Sequence, residues 1–247
     1  MQVLTYLEEG QVRSLTLPSP EEEVMPGIRW GECEKVFTPA YWAYQACRRE
    51  KYITTHRLGN TLLEEIVACI LGGFGIPAEV GMAAFYEVRR QNCFDHSGCS
   101  METIYNILSL PIDIKGKKVK YRFAKQKAKY INNAIVKYHQ IDSNFDDPLT
   151  MRSWLLKLIG IGPKTASWIT RNWLGSDEVA ILDVHIFRAG LIAGFFSTKD
   201  SVASDYFQLE KKFLNFAESI KTKASTLDAI MWADMRVAHR TVSTHFS

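Results

Sequence analysis

Apolar and polar positions alternate with period two at the start of this chain and shift to a helical period from about residue 60 onward. "QVLTYL" and "QVRSLTL" flank "EEG", a pattern that predicts a β-hairpin over Gln2–Leu17. The Pro-rich acidic stretch "PSPEEEVMPG" reads as a linker, and "RWGECEKVFTPAYWAYQACRRE" fits strand or helix equally. Thr61 with Glu64 resembles a capping box, and Leu63, Ile66, Val67, Ile70 and Leu71 share one helical face. "GGFG" ends that helix, and Pro77 opens the next, whose stripe is Val80, Ala84, Phe85 and Val88. A shorter helix is expected over Met101–Leu108.

In the second half, Tyr121, Ala124, Ala128, Ile131 and Ile135 make an apolar stripe that leaves Lys125, Lys127 and Lys129 facing outward. Asp147 caps a helix starting at Pro148, with Trp154, Leu155 and Leu158 inward, and two further helices are expected over Asp205–Ser219 and Ser225–Val242. The fold class is therefore mostly α, two-lobed, with a small N-terminal β-containing segment. Three consecutive parts are expected: 1–55 as hairpin and linker packed on the helical core, 56–145 as a helical lobe, and 146–247 as a second helical lobe.

Composition narrows this little. Of 247 residues, 47% are hydrophobic and 23% charged, an ordinary globular balance. A net charge of +3 means that any nucleic-acid reading must rest on local clusters. One such cluster is "KGKKVKYRFAKQKAKY" (115–130), with eight basic residues and no acidic one. The apolar stretches are too short to span a membrane. Five cysteines (33, 47, 69, 93 and 99) and no targeting signal favour a reducing compartment with free thiols. Cys93 and Cys99 lack a second pair for zinc, and no cysteine follows residue 99 to hold a C-terminal iron–sulfur cluster.

The chemistry lies in "LIGIGPKTASWITRNWLGSDEVAILDVHIFRAG" (158–190). Gly160 and Gly162 allow positive φ and close backbone approach, and Pro163 suits the first position of a new helix. The product is a helix–hairpin–helix whose second helix directs unsatisfied N–H groups, with Thr165 beside them, toward a backbone phosphate. Lys164 lies in that first turn. The helix dipole disfavours a cation there, and Ile161 and Trp168 are expected to shield it from water, so that a neutral attacking amine is favoured. Asp183 closes the apolar run "VAIL" and precedes a helical pattern; it suits an N-cap, and a partly buried carboxylate there can also take a proton or balance positive charge on a sugar.

"LIGIGPKTASWI" together with "VAILDVHIFR" resembles the helix–hairpin–helix DNA glycosylase superfamily, and lysine with D-V-H resembles its 8-oxoguanine DNA glycosylase branch. The similarity runs from about Thr61 to Arg240 and includes "VKYRFAKQKAKYI" and "IMWADMR". The resemblance implies a bifunctional glycosylase/AP lyase acting on oxidised purines in double-stranded DNA, with Lys164 as Schiff-base nucleophile and Asp183 as its acid partner. It implies a phosphate contact at His185 and a flipped base held between Trp168 on one side and Met231 or Trp232 on the other. In the turn after the first long helix, eukaryotic-type members carry polar residues where this chain has "GGFG", so Phe74 becomes the candidate wedge between bases. Lys125, Lys127 and Lys129 become a track for the DNA backbone. No cofactor is required and no side-chain metal site is visible; a monovalent cation (Na or K) held by the main chain of Leu156, Leu158 and Ile161 is the one ion implied. A monomer is expected, in the cytoplasm with the nucleoid if the source is prokaryotic. Two other readings stand beside this one: a glycosylase for another oxidised, alkylated or modified base, and a non-catalytic DNA-binding module that uses the hairpin only for phosphates.

Overall fold

The computed structural model describes residues 1–54, 57–73, 75–94, 99–141 and 144–245, with side chains as far as residue 238. They form two units, one built from Met1–Thr55 with Ser176–Ser247 and the other from His56–Gly175. This division differs from the three consecutive parts expected. The hairpin helices group with residues 56–145, and residues 176–247 group with the N-terminal segment.

The first unit opens with the expected hairpin, β1 (Gln2–Glu8) paired antiparallel with β2 (Gln11–Leu17), and the turn residues Glu9 and Gly10 both take positive φ. The linker folds back on itself as a second small pair, β3 (Glu23–Met25) with β4 (Ile28–Arg29). The ambiguous aromatic segment is a helix, α1 (Pro39–Arg49). Thr38 caps it, Pro39 sits in its first turn, and Ala40, Trp42, Ala43 and Ala46 are buried.

The second unit is helical. In α2 (Leu62–Leu71), capped by Thr61, nine of the ten residues are buried, including Glu64 and Glu65. Next come α3 (Ala78–Arg90) and α4 (Met101–Ser109), followed by a short hairpin of β5 (Ile112–Ile114) and β6 (Lys117–Val119), whose turn and second strand open the basic segment. Asn92, just after α3, takes a positive φ, and the reversal brings the Cα atoms of Cys93 and Cys99 to 4.6 Å. A disulfide joins them, contrary to the free thiols expected; Cys33, Cys47 and Cys69 are free. The unit ends with α5 (Ala124–Tyr138), α6 (Pro148–Leu155) and α7 (Pro163–Leu174). Ile66, Phe85, Leu108, Ile131, Leu155 and Ile169 are among its buried core side chains.

The chain then returns to the first unit with α8 (Val184–Ala193), α9 (Val202–Ser219) and α10 (Ala224–His245). Asp205 breaks the helical backbone inside α9, which is where the apolar period predicts that helix to begin. Tyr41 and Arg49 on α1 both reach Asp234 on α10, at 3.0 and 2.6 Å, and lock the two helices together. Burial and the Asp234 carboxylate push the Tyr41 phenol up to about 12. Among the described residues no helix is long and apolar enough to cross a membrane.

Candidate active site

The hairpin occupies the second unit. Asp147 starts α6, its Oδ2 accepting the Thr150 N–H at 2.6 Å. Beyond Leu155 the chain tightens into a turn, with Leu158 N–H bonded to the Leu155 carbonyl and Ile161 N–H to that of Leu158. Gly160 takes φ +86°, and a Cβ there would lie 2.2 Å from the Tyr130 ring, so only glycine fits. Gly162 differs from the expectation. Its φ is −95°, so no positive φ is used, yet nothing lies within 4 Å of where its Cβ would be. Its value is the open approach to the backbone. Gly162 N-caps α7 with no side-chain acceptor, and Pro163 has no N–H. The Gly162, Lys164 and Thr165 amides therefore have no acceptor among the described residues, which gives an anion-binding helix start. Outside help fixes the turn: Asn133 Oδ1 accepts the Ile159 N–H at 3.1 Å, and Lys137 Nζ donates to the Lys157 carbonyl at 2.7 Å.

Lys164 is exposed on the first turn of α7, although shielding by its neighbours was expected. Ile161 turns into the core and Trp168, one turn on, is half-buried, so neither covers the amine. Lys125 and Lys129 on α5 are exposed as expected, whereas Lys127 points inward. Its Nζ donates to the Ile70 carbonyl at 2.5 Å and the Gly72 carbonyl at 3.3 Å, capping the end of α2, and burial lowers its pKa. Lys127 is a structural cap and leaves the DNA track. Phe74 lies outside the described residues.

Asp183 belongs to the first unit. The run Val179–Leu182 before it is buried without pairing into a sheet, so its amides need other acceptors. Glu210 Oε1 accepts from Ala180 N at 2.9 Å, and Tyr206 Oη accepts from Leu182 N at 3.2 Å while donating to the Ala180 carbonyl at 2.8 Å. Asp228 Oδ2 lies 3.4 Å from Ile181 N. The sequence reading missed Tyr206, Glu210 and Asp228, since their only signal is a polar group on an otherwise apolar helix face. They hold the segment that delivers Asp183. There, Oδ1 alone accepts both cap bonds, from His185 N at 2.8 Å and Ile186 N at 3.0 Å. Oδ2 has no partner among the described residues and is free for chemistry.

Next to it, the His185 ring meets Trp232 edge-on, with centroids 6.4 Å apart, and its Nδ1 is buried without a partner among the described residues. Trp232 is 40% exposed, and Arg236 lies over its face at 4.4 Å. Met231 is fully buried, because it shares the core face of α10 with Leu227 and Ile230. Met231 is thereby removed as a base contact and Trp232 remains. No cluster of three metal-ligating side chains occurs among the described residues.

A family model described as 8-oxoguanine DNA glycosylase matches residues 46–222, well over half of the chain. The chain belongs to the 8-oxoguanine DNA glycosylase family. Similar proteins include an 8-oxoguanine DNA glycosylase/AP lyase of Metallosphaera sedula, 36% identical over 121 residues that make up 45% of this chain and 57% of that one. Another of the same name, from Methanocaldococcus jannaschii, is 32% identical over 51% of this chain and 64% of its own length. The matched stretch thus spans less than two thirds of each. In fold, the chain is similar to the crystal structure of Methanocaldococcus jannaschii 8-oxoguanine DNA glycosylase, with a TM-score of 0.57 at 22% identity over 78% of this chain and 91% of that one. The family and the mostly helical fold implied by the hairpin and D-V-H are both borne out.

Proposed function

We propose that the chain is a bifunctional glycosylase/AP lyase that removes 8-oxoguanine from duplex DNA, with Lys164 as nucleophile and Asp183 as its proton acceptor. The observation that carries this reading is the division of labour at Asp183. One oxygen holds the helix start and the other has no partner among the described residues, so the carboxylate can cap α8 and still accept a proton. Family membership and the names of the relatives support the substrate.

In this scheme DNA phosphates dock on the free amides of Gly162, Lys164 and Thr165, with Lys125 and Lys129 along the backbone and His185 at a further phosphate. The target base is extruded to stack on Trp168 and Trp232. Asp183 takes a proton from the Lys164 ammonium, and the freed Nζ bonds to C1′ as the C1′–N9 bond breaks and the base leaves with that electron pair. Asp183 passes that proton to the departing base, and the carboxylate so restored balances positive charge on the sugar. Opening of the ring at O4′ then gives a protonated Schiff base. Loss of a C2′ proton expels the 3′ phosphate, and hydrolysis frees Lys164. A monovalent cation on the carbonyls of Leu156, Leu158 and Ile161 would steady the hairpin; among the described residues the Leu158 carbonyl accepts one bond, from Ile161 N at 3.3 Å, which leaves a second lone pair.

The test is incubation with an 8-oxoguanine·cytosine duplex, with and without borohydride, beside duplexes carrying other lesions. The native chain is expected to nick the lesion strand and to be trapped on it, and Lys164→Gln to do neither. Trapping by Lys164→Gln overturns the nucleophile assignment. Release of a different base alone reassigns the substrate, and equal affinity for damaged and undamaged duplexes without base release leaves a binding module.

A further inference from the structure

Glu65 is a carboxylate with no exposure at all, in the first turn of α2, and the proposed reaction makes no use of it. Such a group is retained at a cost unless its oxygens find donors. Oε2 accepts the Leu58 N–H at 2.5 Å and the Gly59 N–H at 2.9 Å, whereas Oε1 has only the weak Cys69 thiol at 3.9 Å. Gly59 passes so close to α2 that a Cβ would fall 2.4 Å from Glu65 N, so the strap 57–59 is pinned there. The other end of the strap grips α7. The Arg57 guanidinium lies over Trp173 at 4.4 Å and donates to the Asn172 and Trp173 carbonyls at 3.3 and 2.5 Å.

Trp168 lies midway along α7, and its indole N–H is buried with no acceptor in hydrogen-bond geometry among the described residues. It faces Glu65 closely enough to favour the ionised carboxylate, yet the pair falls short of full hydrogen-bond geometry. Burial raises the Glu65 pKa, while the Gly59 and Leu58 amides, Trp168 and Arg57 pull it back. Among the described residues, one buried oxygen thus lacks a strong donor and one buried N–H lacks an acceptor. A bond between the two would satisfy both.

We infer that Glu65 is the positioning residue for Trp168: its carboxylate fixes the plane of the indole on which an extruded base stacks, and the bond between them closes when the base is loaded. This rests on the reading of Trp168 as a base-stacking surface. It assigns part of the preference for an extruded base to a buried acid that never touches DNA.

Glu65→Gln keeps one oxygen for the two strap amides and turns a second donor toward the indole. The Trp168 indole resonance, assigned by its loss in Trp168→Phe, is expected to move downfield when the native chain binds an 8-oxoguanine duplex. In Glu65→Gln it should not move. That variant should bind the lesion duplex about tenfold more weakly, the loss of one charged hydrogen bond, with KM raised more than kcat is lowered and undamaged duplex bound as before. In a Trp168→Phe background the same substitution should have no effect on lesion binding. An unmoved resonance in the native chain overturns the inference whether or not Glu65→Gln folds, and so does equal weakening toward both duplexes. Borohydride trapping with no indole shift sinks Glu65 alone, while an indole shift without trapping sinks Lys164 and leaves Glu65 standing.

Discussion

Replacing Asp183 by Asn, with Ala as the control, separates the two duties of this side chain. Asn retains an Oδ1 that can accept from His185 N and Ile186 N, so the cap survives and only the attraction of a charge for the helix start is lost. That attraction is worth about 0.3–1 kcal/mol, or a fall of roughly 1–4 °C in Tm for a chain of this size. Ala removes both cap bonds and should cost about 1–2 kcal/mol. Neither figure approaches the kinetic effect expected when a preorganised charge is withdrawn from the reacting centre, about 10²–10³ in base release. Thermal melting, affinity for the lesion duplex and single-turnover base release, measured on the same preparations, should show Asn near native in the first two and severely slowed in the third. Base release by Asn within about fivefold of native would show that Asp183 is a helix cap and nothing more.

The remaining expectations concern the supporting structure. Removing Lys125 and Lys129 together should flatten the logarithmic salt dependence of DNA binding by about 1.8, whereas Lys127→Met should leave the slope unchanged; a slope that responds to Lys127 would mean it leaves the α2 carbonyls to meet DNA. Gly160→Ala combines a positive φ with a Cβ placed inside the Tyr130 ring, so Tyr130→Ala should rescue it only in part and leave roughly 1–2 kcal/mol of backbone strain, read by denaturant melts. Because folding raises the Glu65 pKa above 4.5, stability is lost where the acid is ionised and regained as pH falls through the folded value toward 4.5. The native chain should therefore gain stability over Glu65→Gln across that window in melts at stepped pH, and a gap that stays constant would place no titration at Glu65.

Elements whose cause is local were legible in the sequence. Thr61, Asp147 and Pro163 start helices through bonds or dihedrals within four residues, and the turn at Glu9–Gly10 reverses a strand by its own φ. The N-cap of α8 was readable for the same reason, and that cap places half of the site. Contacts between distant residues were not legible. The period puts Lys127 outward, but the end of α2, 57 residues earlier, supplies carbonyls that draw it in. Met231 and Trp232 are adjacent and both apolar, and only the packing of α10 decides which one meets solvent. The disulfide needs the Cα atoms of Cys93 and Cys99 at 4.6 Å, a closeness that no spacing rule announces.

The first unit is assembled from both ends of the chain, with the second contained between them. On the ribosome, then, the lysine-bearing half has all of its residues by Gly175 and can fold while synthesis continues. The strands and α1 of the other half must wait for α8–α10, with Trp30 and Trp42 lacking most of the neighbours that later bury them. A truncated or stalled product ending near Gly175 would therefore hold the hairpin lysine without the segment that carries Asp183, and under the proposed reaction it should not nick DNA.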